Sequence, residues 1–287
     1  MRTFTTRVAV TFMAASACLF AADSNFLRRQ LQDVEPAADD LTAGAKASYK
    51  PLFGIGDRNS GDLKTVARYG EVTVPYDGGT AIVKYPAEEQ IYFVEEGSGF
   101  LLYNDEKVRV KKNDFMYLPP GVDHGLANVS NAPLKVIVIG HKIPEGVKVQ
   151  PAPKPMLANA DDVQLQVLGS HGPTTQFKLL MGTTQSTRDK LAAANVMDSL
   201  FIMDFAPGGT NIPHNHANEE EIYLVLRGSG DMVAGKDDAG KEVRHPVTAG
   251  ASFLFRPGCQ VGYYSNAKEG QEHDLILAVR SMLPRRR

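Results

Sequence analysis

Cysteine is nearly absent from this 287-residue chain, which holds only Cys18 and Cys259. Cys18 lies in a segment expected to be removed, so the mature chain would carry one thiol and no internal disulfide. Its stability must come from packed cores. Net charge is lacking too: 31 Lys and Arg against 33 Asp and Glu leave −2. That balance offers no electrostatic footprint for nucleic acid or an anionic membrane and leaves a small molecule as the expected partner, with self-association into a homo-oligomer compatible. Nor is there a run fit to span a bilayer, because the uncharged stretch from Val8 to Phe20 is too short for one. What is present is an ordinary globular mixture, 43% hydrophobic and 22% charged, in a length suited to two modest domains or one large one.

Arg2 and Arg7 precede the Val8–Phe20 run, and small residues Ala21 and Ala22 follow it. This is the layout of a secretory signal peptide over residues 1–21 and predicts a secreted or periplasmic protein. Ala15-Ser16-Ala17-Cys18 also has the look of a loose lipobox, although Ala15 stands where a larger aliphatic residue is usual and Leu19-Phe20 is an unusual continuation. The terminal Arg285, Arg286 and Arg287 read as a solvated chain end.

Residues 22–50 are polar and aperiodic and read as an N-terminal arm. Beyond Leu52, short alternating or apolar runs (Thr80 to Val83, Gln90 to Glu95, Phe115 to Leu118, Leu134 to Ile139) are parted by Gly, Pro, Asn and Asp, a pattern of many short strands. A second set follows residue 160, in Leu200 to Phe205, Glu221 to Leu226, Ser252 to Phe255 and Leu275 to Val279. Between them Pro144, Pro151, Pro153 and Pro155 mark a linker. Ser186 to Asn195 is the one expected helix, capped by Ser186 or Thr187 with an Ala-rich body.

The two sets are copies. Gly78-Gly79-Thr80 recurs as Gly208-Gly209-Thr210, Glu89-Gln90-Ile91-Tyr92 as Glu220-Glu221-Ile222-Tyr223, Gly97-Ser98-Gly99 as Gly228-Ser229-Gly230, and Pro120-Gly121 as Pro257-Gly258. Ordered matches at a nearly constant offset mean an internal duplication.

Only the second copy carries a metal-ligand pattern. His214 and His216, two apart on a strand, would present imidazoles to one side, and Glu221 can return on the neighbouring strand to face the same point. Two imidazoles and a carboxylate suit a first-row divalent ion and leave positions open, a catalytic rather than a structural arrangement. In isolation the two histidines would read as surface residues near a turn. Glu219 and Glu220 read as a solvated acidic loop or as outer partners of the site, and Cys259 as a buried thiol or a neighbour of the ion. His141, His171 and His273 carry no recognisable spacing, and His245 sits in an inserted loop.

The spacing Gly208-x5-His214-x-His216-x4-Glu221-x6-Gly228 resembles the first signature of the cupin superfamily, and Gly250 to Asn266 looks like a degraded second one. The duplicated arrangement is similar to bicupins over nearly all of the chain after residue 60. The resemblance implies an all-β chain of two tandem antiparallel jelly-roll barrels: barrel 1 over 51–145, a linker over 146–160 and barrel 2 over 161–284. It also implies one divalent transition metal (Fe, Mn, Ni, Cu or Zn) on His214, His216 and Glu221, with Glu221 the candidate catalytic carboxylate. Cupins usually add a late His, yet the Pro-Gly alignment puts Val261 opposite His124. The first copy shows the complementary loss, with Val83, Tyr85 and Gln90 in the ligand places, so no ion is expected there and His124 reads as a hydrogen-bonded pocket residue. The function implied is a metal-dependent oxidoreductase of dioxygenase type on a small oxygen-rich molecule. Alternatives are a metal-assisted isomerase, lyase or decarboxylase of a sugar acid or carboxylate, or a non-catalytic binder of a sugar or small ligand.

Overall fold

A computed structural model describes residues 25–149, 152–169 and 171–283. The signal-peptide and lipobox readings and the terminal arginines fall outside them. The chain is all-β, with two tandem antiparallel jelly-roll halves. The first combines a six-stranded and a four-stranded sheet, the second a seven-stranded and a four-stranded sheet.

The larger sheets explain why their strands read as nearly continuous apolar runs. On the strand Glu219–Arg227, Tyr223 and Val225 face the interior of the second barrel, where they meet Phe201, Met203, Val261 and Tyr263. Ile222 and Leu224 face the other way and pack with Ile91, Phe93, Ile137 and Ile139 of the first half. Because side chains alternate across a strand, each large sheet has one face in its own barrel and one in a shared inter-barrel core, and neither is free to be polar. Burial on that shared face, at roughly 25 cal/mol per Å² of apolar surface, joins the halves into one body.

Two segments outside the barrels supply edge strands. From the arm, Phe26–Gln30 pairs antiparallel with Ala251–Phe255 of the second half. After the Pro-rich stretch, Met156–Asn159 pairs with Asp114–Leu118 of the first. Each covers a sheet edge that would otherwise present unpaired backbone groups.

The expected helix over Ser186 to Asn195 is not formed. Its cap is real, since Ser186 Oγ accepts from the Arg188 and Asp189 amides at 3.3 Å. The body is instead a short strand, Leu191–Ala194, parallel to Thr175–Thr183. Ala193 and Ala194 gain burial in the inter-barrel core, and that packing outweighs the helix propensity of alanine. Among the described residues no helix is long and apolar enough to cross a membrane.

Candidate metal centre

His214 lies near the end of the strand Thr210–Asn215, whose pairing with Gln260–Ser265 slips between Asn211 and His214. Pro213, with no amide hydrogen, falls inside the slip. His216 follows two residues on, and the two rings stand nearly perpendicular with centroids 4.8 Å apart. Glu221 comes from Glu219–Arg227, in register with Phe255 on one side and Arg280 on the other, and is only 2% exposed.

Polar contacts at the far side of each ring set which nitrogen faces the site. His214 Nδ1 lies 2.8 Å from the Ile212 carbonyl, an acceptor only, so Nδ1 carries the hydrogen and Nε2 a lone pair. His216 Nδ1 lies 2.9 Å from Glu219 Oε2, which orients that ring in the same sense. The two Nε2 atoms then face each other at 3.0 Å, and Glu221 Oε2 lies 3.5 Å from His216 Nε2. Two lone pairs at that distance repel unless a proton or a cation lies between them. Glu219 pulls the His216 pKa up, whereas burial pushes that of His214 down. Without an ion, a proton on His216 Nε2 donated to His214 meets the requirement.

Ligands about 2.1 Å from a central ion stand about 3.0 Å apart at a right angle and about 3.4 Å apart at the tetrahedral angle. The observed edges of 3.0 and 3.5 Å fall on these spacings. As placed, no group of three or more His, Cys, Asp or Glu side chains among the described residues forms a metal-holding set. The donor types, their tautomers and the two edges nevertheless fit a divalent first-row ion. Glu221 adds to the fit: burial raises its pKa to about 7, against the pull of His216 and Arg280, so its charge lacks full compensation from its neighbours.

Four further residues belong to the site and were not singled out by the sequence. Tyr223 hydrogen-bonds the Glu221 carboxylate, and its hydroxyl accepts from Asn211 Nδ2 at 3.1 Å. Asn211 Oδ1 in turn lies 2.8 Å from His171 Nδ1, so a chain of polar groups runs from His171 to Glu221. The His171 ring stands edge-on to His214, with centroids 5.6 Å apart. Arg280 is the fourth, with Nη2 3.4 Å from Asp198 and Nη1 3.7 Å from Glu219. Asn211 sits inside the His-bearing signature and could have been suspected there. Nothing in the spacing points to His171 or Arg280. Together these groups border a cavity of about 560 Å³ whose apolar lining includes Phe177, Leu179, Phe201 and Met203, with Phe177 beside His171 and Phe201 beside Arg280.

Of the two neighbouring acids, Glu219 is the outer partner and Glu220 is not in a solvated loop: it is 2% exposed and turned into the inter-barrel core. Cys259 is buried, and its thiol contacts the Gln260 carbonyl. Val261 pairs across the strands with His214, where the late His is missing. In the first barrel His124 lies between the Tyr85 and Tyr92 rings with Nδ1 on the Val122 carbonyl at 3.0 Å, and burial lowers its pKa.

Fold and site together define a duplicated jelly-roll protein whose ligand-type residues are gathered in one barrel. A cupin domain matches residues 70–140 and 201–273, one stretch in each half, and the chain belongs to the cupin superfamily as a bicupin. It is 32% identical over 84 residues to oxalate oxidase GF-2.8 of Triticum aestivum, a match covering 29% of this chain and 37% of that protein. The chain spans about half the length of the first curated relatives it matches. Among solved structures it is similar to protein YlbA of E. coli, with a TM-score of 0.67 at 15% identity over 92% of this chain and 93% of the other. It is also similar to Bacillus subtilis oxalate decarboxylase, a protein with Mn(II) centres, at a TM-score of 0.63 and 12% identity over 90% and 78% of the two chains.

Proposed function

We propose that this bicupin is an exported metal-dependent enzyme, of the oxidoreductase and dioxygenase type, which binds one divalent first-row ion through His214, His216 and Glu221 and acts on a small oxygen-rich molecule. The observation that carries the reading is the convergence of the two Nε2 atoms at 3.0 Å beside a buried carboxylate. The likeness to an oxalate oxidase agrees with it. When bound, the ion would supply Lewis acidity and, if redox-active, an electron path between substrate and oxidant.

The chain's own residues do the rest. Glu219 and the Ile212 carbonyl hold the imidazoles in the tautomer that presents Nε2. Tyr223 and Asn211 orient Glu221. Phe177, Leu179, Phe201 and Met203 give the cavity an apolar face. Elemental analysis should find about one metal per chain. Oxygen uptake with oxalate, enediol and diketone substrates should appear only in the loaded protein, and a loaded protein inert to all of them would remove the oxidoreductase reading.

A redox-neutral decarboxylase, lyase or isomerase is the second reading, favoured by a three-ligand set that leaves positions open for a carboxylate oxygen, on which the ion would act as a Lewis acid. Turnover under nitrogen with zinc in the site would select it. Export rests on Arg2, Arg7 and the Val8–Phe20 run. Intact mass of protein from its native host should place the first residue near Ala22.

A further inference from the structure

The two halves differ in how they place a guanidinium, and the difference identifies a ligand. In the first barrel Gly140 pairs with Arg68 on one neighbouring strand and with Gln90, which holds the Glu221 place, on the other. In the second barrel Arg280 pairs with Ser199 and with Glu221. Each barrel thus carries one arginine beside the third-ligand position, delivered from opposite members of the same strand pair. Gly140 makes room for the first: a Cβ there would lie 2.7 Å from both Arg68 Cγ and Gln90 Nε2.

In the first barrel the chain itself fills that guanidinium. Arg68 Nη1 bonds Asp40 Oδ1 at 2.8 Å and Asp39 Oδ2 at 3.1 Å, and Arg68 Nε lies 3.3 Å from Glu88. Asp40 Oδ1 also accepts from the hydroxyl of Tyr85, which holds the His216 place, at 2.8 Å. The neighbouring Leu41 is fully buried in the barrel interior with Tyr49, Val72 and Tyr92. A carboxylate on the arginine and an apolar side chain in the barrel are the two halves of one occupant, brought in by the arm just after the bridge between Ala37 and Tyr49.

The second barrel has the matching bridge, Gln166 with Phe177, but the stretch after it, Val167 to Pro173, contains no carboxylate. Leu168 and Gly169 line the cavity instead. Arg280 has two long contacts to carboxylates, Asp198 at 3.4 Å and Glu219 at 3.7 Å, its guanidinium stands 5.8 Å from the centre of the Phe201 ring, and its buried Nε has no hydrogen-bond partner. Above it stands the cavity of about 560 Å³ with its Phe177, Leu179, Phe201 and Met203 wall. Oxalate would leave that wall uncovered.

We infer that the second barrel takes an amphipathic monocarboxylate, its carboxylate on Arg280 and its apolar body against Phe177, Leu179, Phe201 and Met203, as Asp40 and Leu41 occupy the first barrel. The inference rests on the second barrel being the working site. The test is calorimetric titration of the full-length protein, metal-loaded and chelator-treated, with 3-phenylpropionate, 3-phenylpropanol, acetate and oxalate. The acid should bind the wild type about tenfold or more tighter than the alcohol, because an arginine–carboxylate pair is charge-assisted, and tighter than oxalate or acetate, which lack the apolar body. Arg280→Gln should abolish the preference for acid over alcohol while leaving alcohol binding within about twofold. Leu179→Trp, which fills the apolar end, should weaken 3-phenylpropionate and spare acetate. Wild-type protein with no preference for the acid, or with oxalate the tightest ligand, overturns the inference whether or not the variants fold. So does a preference kept in Arg280→Gln but lost on chelation, since the ion would then hold the carboxylate. A preference that persists in chelated wild type and is lost in Arg280→Gln upholds the Arg280 anchor even if elemental analysis removes the metal reading, whereas one kept by chelated Arg280→Gln would move the carboxylate to Arg188, which also lines the cavity, and overturns the inference.

Discussion

Glu89 and Glu220 hold equivalent positions in the two halves, and each seats its carboxylate on the backbone of the other half. Glu89 accepts from the amides of Asn195, Val196 and Met197 at 2.7 to 2.9 Å. Glu220 accepts from the amides of Lys64, Thr65 and Val66 at 2.7 to 3.2 Å, and from the Thr65 hydroxyl at 2.6 Å. Both are at most 2% exposed. The duplication therefore built a pseudo-twofold joint, in which the residue before the third-ligand position fastens the barrels together. One strand thus serves two purposes, with Glu220 on its inter-barrel face and Glu221 on its interior face.

Glu220→Ala should cost about 3 to 5 kcal/mol, because it strands several buried donors at once. Chemical denaturation measures the loss. Metal content should stay the same, since the side chain points away from the site. A change under 0.5 kcal/mol in roughly this range would instead mark a solvated surface residue.

Metal should follow the imidazoles. A His214→Ala, His216→Ala double variant is expected to lose the single bound ion by elemental analysis, and a variant that keeps it would move the ligands elsewhere.

Glu219→Gln tests the outer partner. It keeps a hydrogen-bond acceptor beside His216 Nδ1 but removes the charge that raises the His216 pKa. Metal affinity should fall by about tenfold to a hundredfold, with fold and stability retained. Competition titration with a chromophoric chelator reads the change.

The sequence made the alternation of strands and the duplication legible, because each is a local pattern repeated at a fixed spacing, and its spacing also brought out His214, His216 and Glu221, which the fold places side by side. It could not separate Glu219 from Glu220, adjacent acids that period-two geometry sends to opposite faces. His171 and Arg280 were invisible for another reason. They reach the site from distant strands, so only tertiary packing joins them to it. The Leu191–Ala194 strand has the sequence of a helix because alanine favours helices locally, whereas its burial is a property of the joint.

Acidity should also act away from the site. Glu95 has its pKa raised to about 8, first by burial and then by a shared hydrogen bond with Glu71. A carboxyl whose folded pKa lies above its unfolded value keeps its proton longer in the native state. Its contribution is therefore present at low pH and lost as pH rises from about 4.5 to about 8. Glu95→Gln should flatten that part of the stability profile by about 1 to 2 kcal/mol, less than full burial would give because the side chain is partly exposed. Denaturation midpoints at pH 5 and pH 8 in roughly matched salt provide the comparison.

The last prediction concerns Val261. It is 1% exposed, belongs to the barrel interior and pairs with His214 across the strands, so both side chains project to the same face. A cupin site with a late His would offer its fourth ligand from this place. Val261→His should therefore bring an imidazole to the ion and tighten metal binding by about 1 to 3 kcal/mol, about tenfold to a hundredfold. Opposing it, a larger polar ring must fit where a β-branched side chain packs against Tyr263 and Phe255, at a cost of about 1 to 3 kcal/mol of stability. The two effects are separable: competition titration reads the metal and thermal unfolding of the metal-free protein reads the strain. A folded Val261→His protein with unchanged affinity would mean that a fourth group already serves. Gln260 is a poor candidate, because it pairs with Asn215 and alternation turns it to the opposite face. That outcome would point to Cys259, two residues before Val261 and buried, and loading with cobalt would then show thiolate-to-metal charge transfer that a Cys259→Ser variant lacks.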